Sequence, residues 1–203
     1  MLALLAPARA RAQAMDTASQ QLALSAFGAA TGTFTDIYDS ATNDIQAKNL
    51  GITAGVDLRV GHFGHYDPSI EVRGTYPFHK GTIASEKNVL GGIKIERPYF
   101  HEMIHPYGGI LYGRGEINYQ GTGYYVPSTS LVYYYTVTNV LSPFAGVDFE
   151  VSHHFAIKAD AQFVHYNTPV VRSGSIDAVP VSFGVVYKFD FNRTSRDRRD
   201  YYR

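Results

Sequence analysis

The sequence predicts an all-β fold, an eight-stranded antiparallel transmembrane β-barrel, from three observations. Apolar residues recur at every second position in eight segments, those segments are long, and the connectors between them alternate between long and short. Alternation with period two sends successive side chains to opposite faces of a strand. A tilted strand crosses a bilayer in about 9–11 residues, whereas strands of soluble proteins usually run about 5–6. The segments here are mostly roughly 10–14 residues long, which favours the spanning kind.

The first segment, QLALSAFGAATGTFT (21–35), is the weakest: Leu22, Leu24, Ala26 and Ala30 share a face and Phe27 falls opposite. LGITAGVDLRVG (50–61) sets Leu50, Ile52, Ala54, Val56, Leu58 and Val60 against Asp57 and Arg59. SIEVRGTYPF (69–78) sets Ile70, Val72 and Tyr76 against Glu71 and Arg73, and EKNVLGGIKIER (86–97) sets Val89, Ile93 and Ile95 against Lys94 and Glu96. In PYGGILYGRGEINY (106–119), Tyr107, Leu111, Ile117 and Tyr119 oppose Arg114 and Glu116. PFAGVDFEV (143–151) sets Ala145, Val147, Phe149 and Val151 against Asp148 and Glu150. FAIKADAQFVHY (155–166) sets Phe155, Ile157, Ala159, Ala161 and Phe163 against Lys158 and Asp160. VPVSFGVVYKFDF (179–191) sets Val181, Phe183, Val185, Tyr187, Phe189 and Phe191 against Lys188 and Asp190.

Connectors 36–48, 79–85, 120–140 and 167–178 follow the odd segments; 62–68, 98–105 and 152–154 follow the even ones. Long loops at one end, short turns at the other and an even strand number are the pattern of a bacterial outer-membrane barrel with both termini in the periplasm. Aromatic residues collect at both ends: Phe34, Tyr76, Phe78, Tyr119, Phe163 and Tyr166 towards the long loops, and Phe63, Tyr66, Tyr99, Phe100, Tyr107, Phe155, Phe189 and Phe191 towards the short turns. Two such belts suit two membrane interfaces. A soluble sandwich or lipocalin-like barrel alternates too, with its faces swapped; strand length, loop asymmetry and the belts argue against it.

On this reading the apolar face meets lipid and the charged face looks into a lumen just wide enough for side chains. Charges in so narrow a space must be paired. The expected luminal network is Asp57, Arg59, Glu71, Arg73, Lys94, Glu96, Arg114, Glu116, Asp148, Glu150, Lys158, Asp160, Lys188 and Asp190.

Composition narrows the function classes. The net charge is zero, which gives no reason to expect a nucleic-acid partner, and the absence of Cys removes disulfides and thiol chemistry. No apolar run approaches the roughly 18 residues of a membrane helix. The opening MLALLAPARARAQA ends in Ala12-Gln13-Ala14, a small-x-small cleavage pattern. It reads as the end of a signal peptide (residues 1–14) whose true start lies upstream of Met1. The barrel then occupies 19–191, and an Arg-rich tail, 192–203, follows in the periplasm.

In this pattern and in its last strand the chain resembles the small eight-stranded outer-membrane barrels of the outer-membrane protein A and X type, over residues 19–191. The resemblance implies a Gly-x-x-hydrophobic-x-hydrophobic assembly signal, matched by Gly184, Tyr187 and Phe189 with Phe191 beyond, and so recognition by the barrel-assembly machinery. Phe183 stands where that signal usually has a polar residue. The tail NRTSRDRRDYYR is far too short for the peptidoglycan-binding domain of larger members.

Several motifs tempt a catalytic reading. HEMIH (101–105) has zinc-protease spacing, but that chemistry needs a helix, and the motif sits in a short connector bracketed by Pro98 and Pro106. His62, His65, His101, His105, His153 and His154 all fall in short turns, where ordinary polar turn residues are expected. Outer-membrane enzymes work at the outer rim; His79 and His165 lie there, with Ser173 and Asp177 nearby in sequence. The sequence therefore points to a non-catalytic protein without a cofactor or metal, surrounded by outer-membrane lipids, with a structural, adhesive or surface-interaction role. The uncharged, Tyr-rich residues 120–140 are the candidate surface for an extracellular partner. A narrow channel or a carrier of small hydrophobic molecules is the alternative, and a lipid-modifying enzyme the third choice.

Overall fold

The computed structural model describes residues 23–39, 43–79, 84–100, 103–119, 123–171 and 173–189. Residues 1–14, read above as the end of a signal peptide, Asp190, Phe191, the tail and the His101–Glu102 stretch of HEMIH lie outside the described residues.

Eleven strands form: β1 (Leu24–Asp39), β2 (Asn43–Arg59), β3 (Asp67–His79), β4 (Ala84–Glu96), β5 (Ile104–Tyr119), β6 (Tyr124–Tyr125), β7 (Val132–Tyr133), β8 (Tyr135–Glu150), β9 (Phe155–Gln162), β10 (Val164–Asn167) and β11 (Ser175–Phe189). β9 and β10 are one stave. Across Phe163 the pairing with β8 passes from Phe144↔Gln162 to Leu141↔His165, and that with β11 from Val181↔Ala161 to Ala178↔Val164, without a slip. The main sheet runs β1-β2-β3-β4-β5-β8-β9/β10-β11 and closes by β1–β11 pairing, so eight antiparallel staves make a barrel with no open edge.

The long staves run 13–17 residues, longer than the alternation alone suggested. Much of connector 36–48 is strand, because β1 and β2 stay paired out to Asp39↔Asn43. Within connector 120–140, β6 and β7 form a separate small hairpin, Tyr124↔Tyr133 and Tyr125↔Val132.

Polarity is inverted relative to a soluble protein. Val56, Val72, Ile93, Ile110, Phe183 and Val185 are exposed on the outer wall, while Glu71, Arg73, Lys94, Lys158 and Asp160 are buried inside. Such a wall suits hydrocarbon, not water.

One stave departs from the sequence reading. On β5, Tyr107, Leu111, Ile117 and Tyr119 face inward and are buried, whereas Arg114 is exposed on the outer wall and Glu116 lies beside it. Arg114 and Glu116 are therefore not luminal. They stand on the outer wall at the loop-side edge of the apolar belt, so charge there does not mark the inside. The inward stripe of β5 instead carries glycines that make room for rings. A Cβ on Gly115 would lie 2.4 Å from the Tyr166 ring, and one on Gly109 2.6 Å from the Phe144 ring.

Candidate functional site

The lumen is divided. Towards the short turns it is charged; towards the long loops it is largely apolar and hydroxyl-lined.

The charged region contains a pair of clusters. In the first, Lys94 on β4 lies 2.9 Å from Asp57 on β2 and 3.5 Å from Glu96. Glu96 also meets Arg59 (3.7 Å) and His105 Nδ1 (2.6 Å). His105 Nε2 faces Glu150 on β8 at 2.9 Å, and Lys188 on β11 pairs with the same carboxylate. A doubly protonated imidazole donates on both sides at once, which suits a ring set between two carboxylates. Arg59 reaches Asp67 (3.4 Å), which also pairs with His62. Asp57 and Arg59, two apart on one face, thus take partners on other strands.

The second cluster lies deeper. Arg73 on β3 pairs with Glu71 and, across the barrel, with Asp160 on β9 at 3.0 Å. Lys158 sits 3.7 Å from both Asp148 and Asp160. Aromatic rings separate the cations. Arg73 lies over Phe144 (4.4 Å) and Phe27 (5.4 Å), and Lys158 over Tyr107 (4.1 Å) and Phe27 (4.6 Å). Ring faces favour cations in such a dry setting. A cavity of about 240 Å³ opens beside the first cluster, lined by Asp57, Arg59, Lys94, Glu96, His105 and Glu150 among others. It is large and polar enough to admit water. Of the predicted network, Asp57, Arg59, Glu71, Arg73, Lys94, Glu96, Asp148, Glu150, Lys158, Asp160 and Lys188 thus line the charged region of the lumen. Arg114 and Glu116 do not, and Asp190 lies outside the described residues. The sequence reading missed Asp67, His105 and Tyr107 as members.

The loop-side region is packed by Leu90, Leu111, Ile117, Val140, Val164, Tyr166 and Ile176. The β10–β11 loop folds over them. Val170 and Val171 are buried in the same cluster, and Thr168 bonds the Tyr119 hydroxyl at 2.6 Å. Gly174 turns this loop back at φ +76°, a conformation that disfavours residues with a Cβ, and its N–H bonds the Val171 carbonyl. On the opposite wall hydroxyls link staves: Ser182–Thr31 (2.9 Å), Thr31–Thr53 (2.7 Å) and Thr53–Thr75 (2.9 Å). Above them Thr35 donates to the buried Glu86 at 2.5 Å.

Outside the apolar belt, the β6–β7 hairpin turns over Val126–Leu131 and leans on the barrel through Tyr124, whose ring lies 5.4 Å from that of Tyr119. Tyr125, Leu131, Tyr134 and Tyr135 are exposed. At the rim, His165 Nδ1 bonds Asp177 at 2.6 Å, while the Ser173 hydroxyl donates to the Ser175 carbonyl. Among the described residues no serine or threonine hydroxyl is hydrogen-bonded to His165, and no cluster of metal-ligating side chains forms. At the turn end of β11, Tyr187 packs between Phe155 (5.2 Å) and Phe189 (4.9 Å) on the outer wall. Gly184 sits where a Cβ would come within 2.1 Å of the Gly28 carbonyl oxygen.

No family model and no curated protein matches the chain. Among solved structures it is similar to Ail, the attachment invasion locus protein of Yersinia pestis, at 13% identity over 83% of this chain and 99% of that one, with a TM-score of 0.54. Neisserial surface protein A is similar at 13% identity over 82% and 99%, with a TM-score of 0.51. A second Ail structure, in complex with the heparin analogue sucrose octasulfate, gives 12% identity over 83% and 99%, with a TM-score of 0.51. With its closed eight-stave wall, apolar outside and charged within, this chain has the fold of the small outer-membrane β-barrels and the surface of a protein of the cell outer membrane.

Proposed function

We propose that this protein is a non-catalytic surface-interaction barrel: a rigid membrane stake that presents the β6–β7 hairpin outside the cell. The observation that carries this reading is the hairpin itself. It is uncharged, it displays Tyr125 and Leu131 to solvent with the exposed Tyr134 directly at its foot, and it rests on the barrel through Tyr124. Exposed tyrosines give large contact area at low entropic cost, and extended backbone offers strand addition. Attachment is also the role for which Ail is named. The packed loop-side lumen supports a stake rather than a conduit, since the polar cavity reaches only the charged region. His165 is held by Asp177, and among the described residues no hydroxyl stands at hydrogen-bond distance from that imidazole. Folding of the barrel falls to the assembly machinery, with Tyr187 and Phe189 as its signal.

The test is adherence of cells that display the protein. Serine at Tyr125, Leu131 and Tyr134 together is expected to abolish adherence while the barrel still migrates anomalously in unboiled SDS gels. Adherence unchanged in that triple variant overturns the reading. In planar bilayers the unmutated protein should give only small, infrequent conductance; a steady, large, ohmic conductance would promote the channel reading instead.

A further inference from the structure

The outer wall carries a feature that the hairpin's role does not use. A groove of about 480 Å³ crosses it towards the loop end. Its trough lies where Gly74 on β3 pairs with Ala54 on β2 and Val89 on β4, and the missing side chain leaves the wall indented. Ile52 and Tyr76 flank the trough, and Lys87 and Arg114 stand at its loop-side end.

The position of those cations is informative. Immediately below them the outer wall is apolar, with Val89, Tyr112 and Leu141 exposed; at Lys87, Arg114, Glu116 and Asn139 charged and amide groups enter it, beside Val137 and Tyr135. This is the level at which hydrocarbon gives way to head groups. Lys87 lies 3.0 Å from Glu116, and Arg114 donates to the Asn139 amide oxygen at 2.8 Å. Two cations and one carboxylate leave a positive charge in excess. The ammonium has three donors and the guanidinium five, so both retain N–H groups beyond these bonds. Higher still, Asn118 and Tyr135 pair directly across β5 and β8 and continue the outer wall with an amide and a phenol, groups suited to sugar hydroxyls.

We propose that this groove binds a phosphorylated glycolipid of the outer leaflet, with one acyl chain in the Gly74 trough and a phosphate on Arg114 and Lys87. A trough inside the belt is filled by acyl chains in any bilayer. The surplus charge at its mouth selects the head group, because a guanidinium holds phosphate in a bidentate, charge-assisted geometry. The assignment rests on the orientation that puts the long loops outside.

The experiment is native mass spectrometry of the folded barrel in a neutral detergent, with diphosphorylated lipid A, its dephosphorylated form and phosphatidylglycerol as probes. One diphosphorylated lipid is expected to be retained, with retention falling about tenfold, the equivalent of one charge-assisted contact, in the R114Q/K87Q double variant. Dephosphorylation should give the same loss, and phosphatidylglycerol should be held more weakly. Gly74→Leu is the second arm. A Cβ there meets nothing nearer than 3.5 Å, so the barrel should fold, judged by unboiled gel migration, yet the filled trough should reject the lipid. The serine variants of the hairpin should retain lipid normally, which separates failure of this proposal from failure of the surface-binding reading. Equal retention by wild type and R114Q/K87Q, equal retention of the phosphorylated and dephosphorylated lipids, or phosphatidylglycerol held as tightly as lipid A each overturns it.

Discussion

Arg73 and Leu111 are both sealed from water in one lumen, at 1% and 0% exposure, yet their surroundings differ. Around Arg73, two carboxylates and two ring faces offset the desolvation of the guanidinium. Leu111 belongs instead to a buried apolar cluster with Leu90, Val140 and Val164, where inward glycines admit the rings of Phe144 and Tyr166. The charged region holds by mutual satisfaction and the apolar region by volume. Damage to the first strands a partner; damage to the second leaves a void.

Substitutions can separate these modes, and the largest effect is expected deepest in the charged region. Arg73→Ala takes from the buried Glu71 its paired cation and leaves Asp160 with Lys158 alone; it should cost about 3–5 kcal/mol, read from denaturant unfolding in liposomes. Leu111→Ala should cost roughly 2–5 kcal/mol through the cavity it opens. It should also leave conductance low, because the charged clusters still block the path; a large stable pore from Leu111→Ala would show that the apolar region alone seals the barrel. Thr53→Val removes a hydroxyl bonded to both Thr31 and Thr75; a loss of about 1–3 kcal/mol is expected from the partners left behind. The smallest effect should come at the turn-side mouth. Lys188 and Glu150 are both partly solvated, so Lys188→Ala should cost under about 1 kcal/mol and lose that effect in high salt. If Lys188→Ala proved as damaging as Arg73→Ala, the gradient of burial along the lumen would not govern stability.

Much of this was legible in the sequence because, within the apolar belt, most staves carry charge on one face only. The alternation of β2, β3, β4, β8, β9 and β11 gives the inward residues directly, and the structure keeps that parity. β5 defeats the same logic, since both of its faces are apolar along much of their length: Ile110 and Tyr112 face out, Leu111 and Ile117 in. Arg114 and Glu116 then look like lumen markers, although the rule that charge lies inside holds only within the belt. The cover formed by Val170 and Val171 left no periodic trace either, because it comes from a loop folding back onto the barrel. His105 was read as belonging to HEMIH in a turn, whereas it opens β5 and points inward between Glu96 and Glu150.

The β1–β11 seam has a consequence in time. Every other junction of the wall joins staves that are near in sequence and can form as local hairpins. The seam zips Leu24 to Phe189 through to Asp36 against Asp177, and Thr31 and Ser182, which bond across it, are 151 residues apart. Closing so large a loop carries the greatest entropic cost and no reward until both partners are in place. Closure should therefore be the last and slowest event in folding. Until then both terminal staves present unpaired backbone to any neighbouring strand. A chain cut short before Ser175 would lack the closing stave and keep that edge indefinitely, so maturation of this barrel should be all-or-none with respect to its final strand.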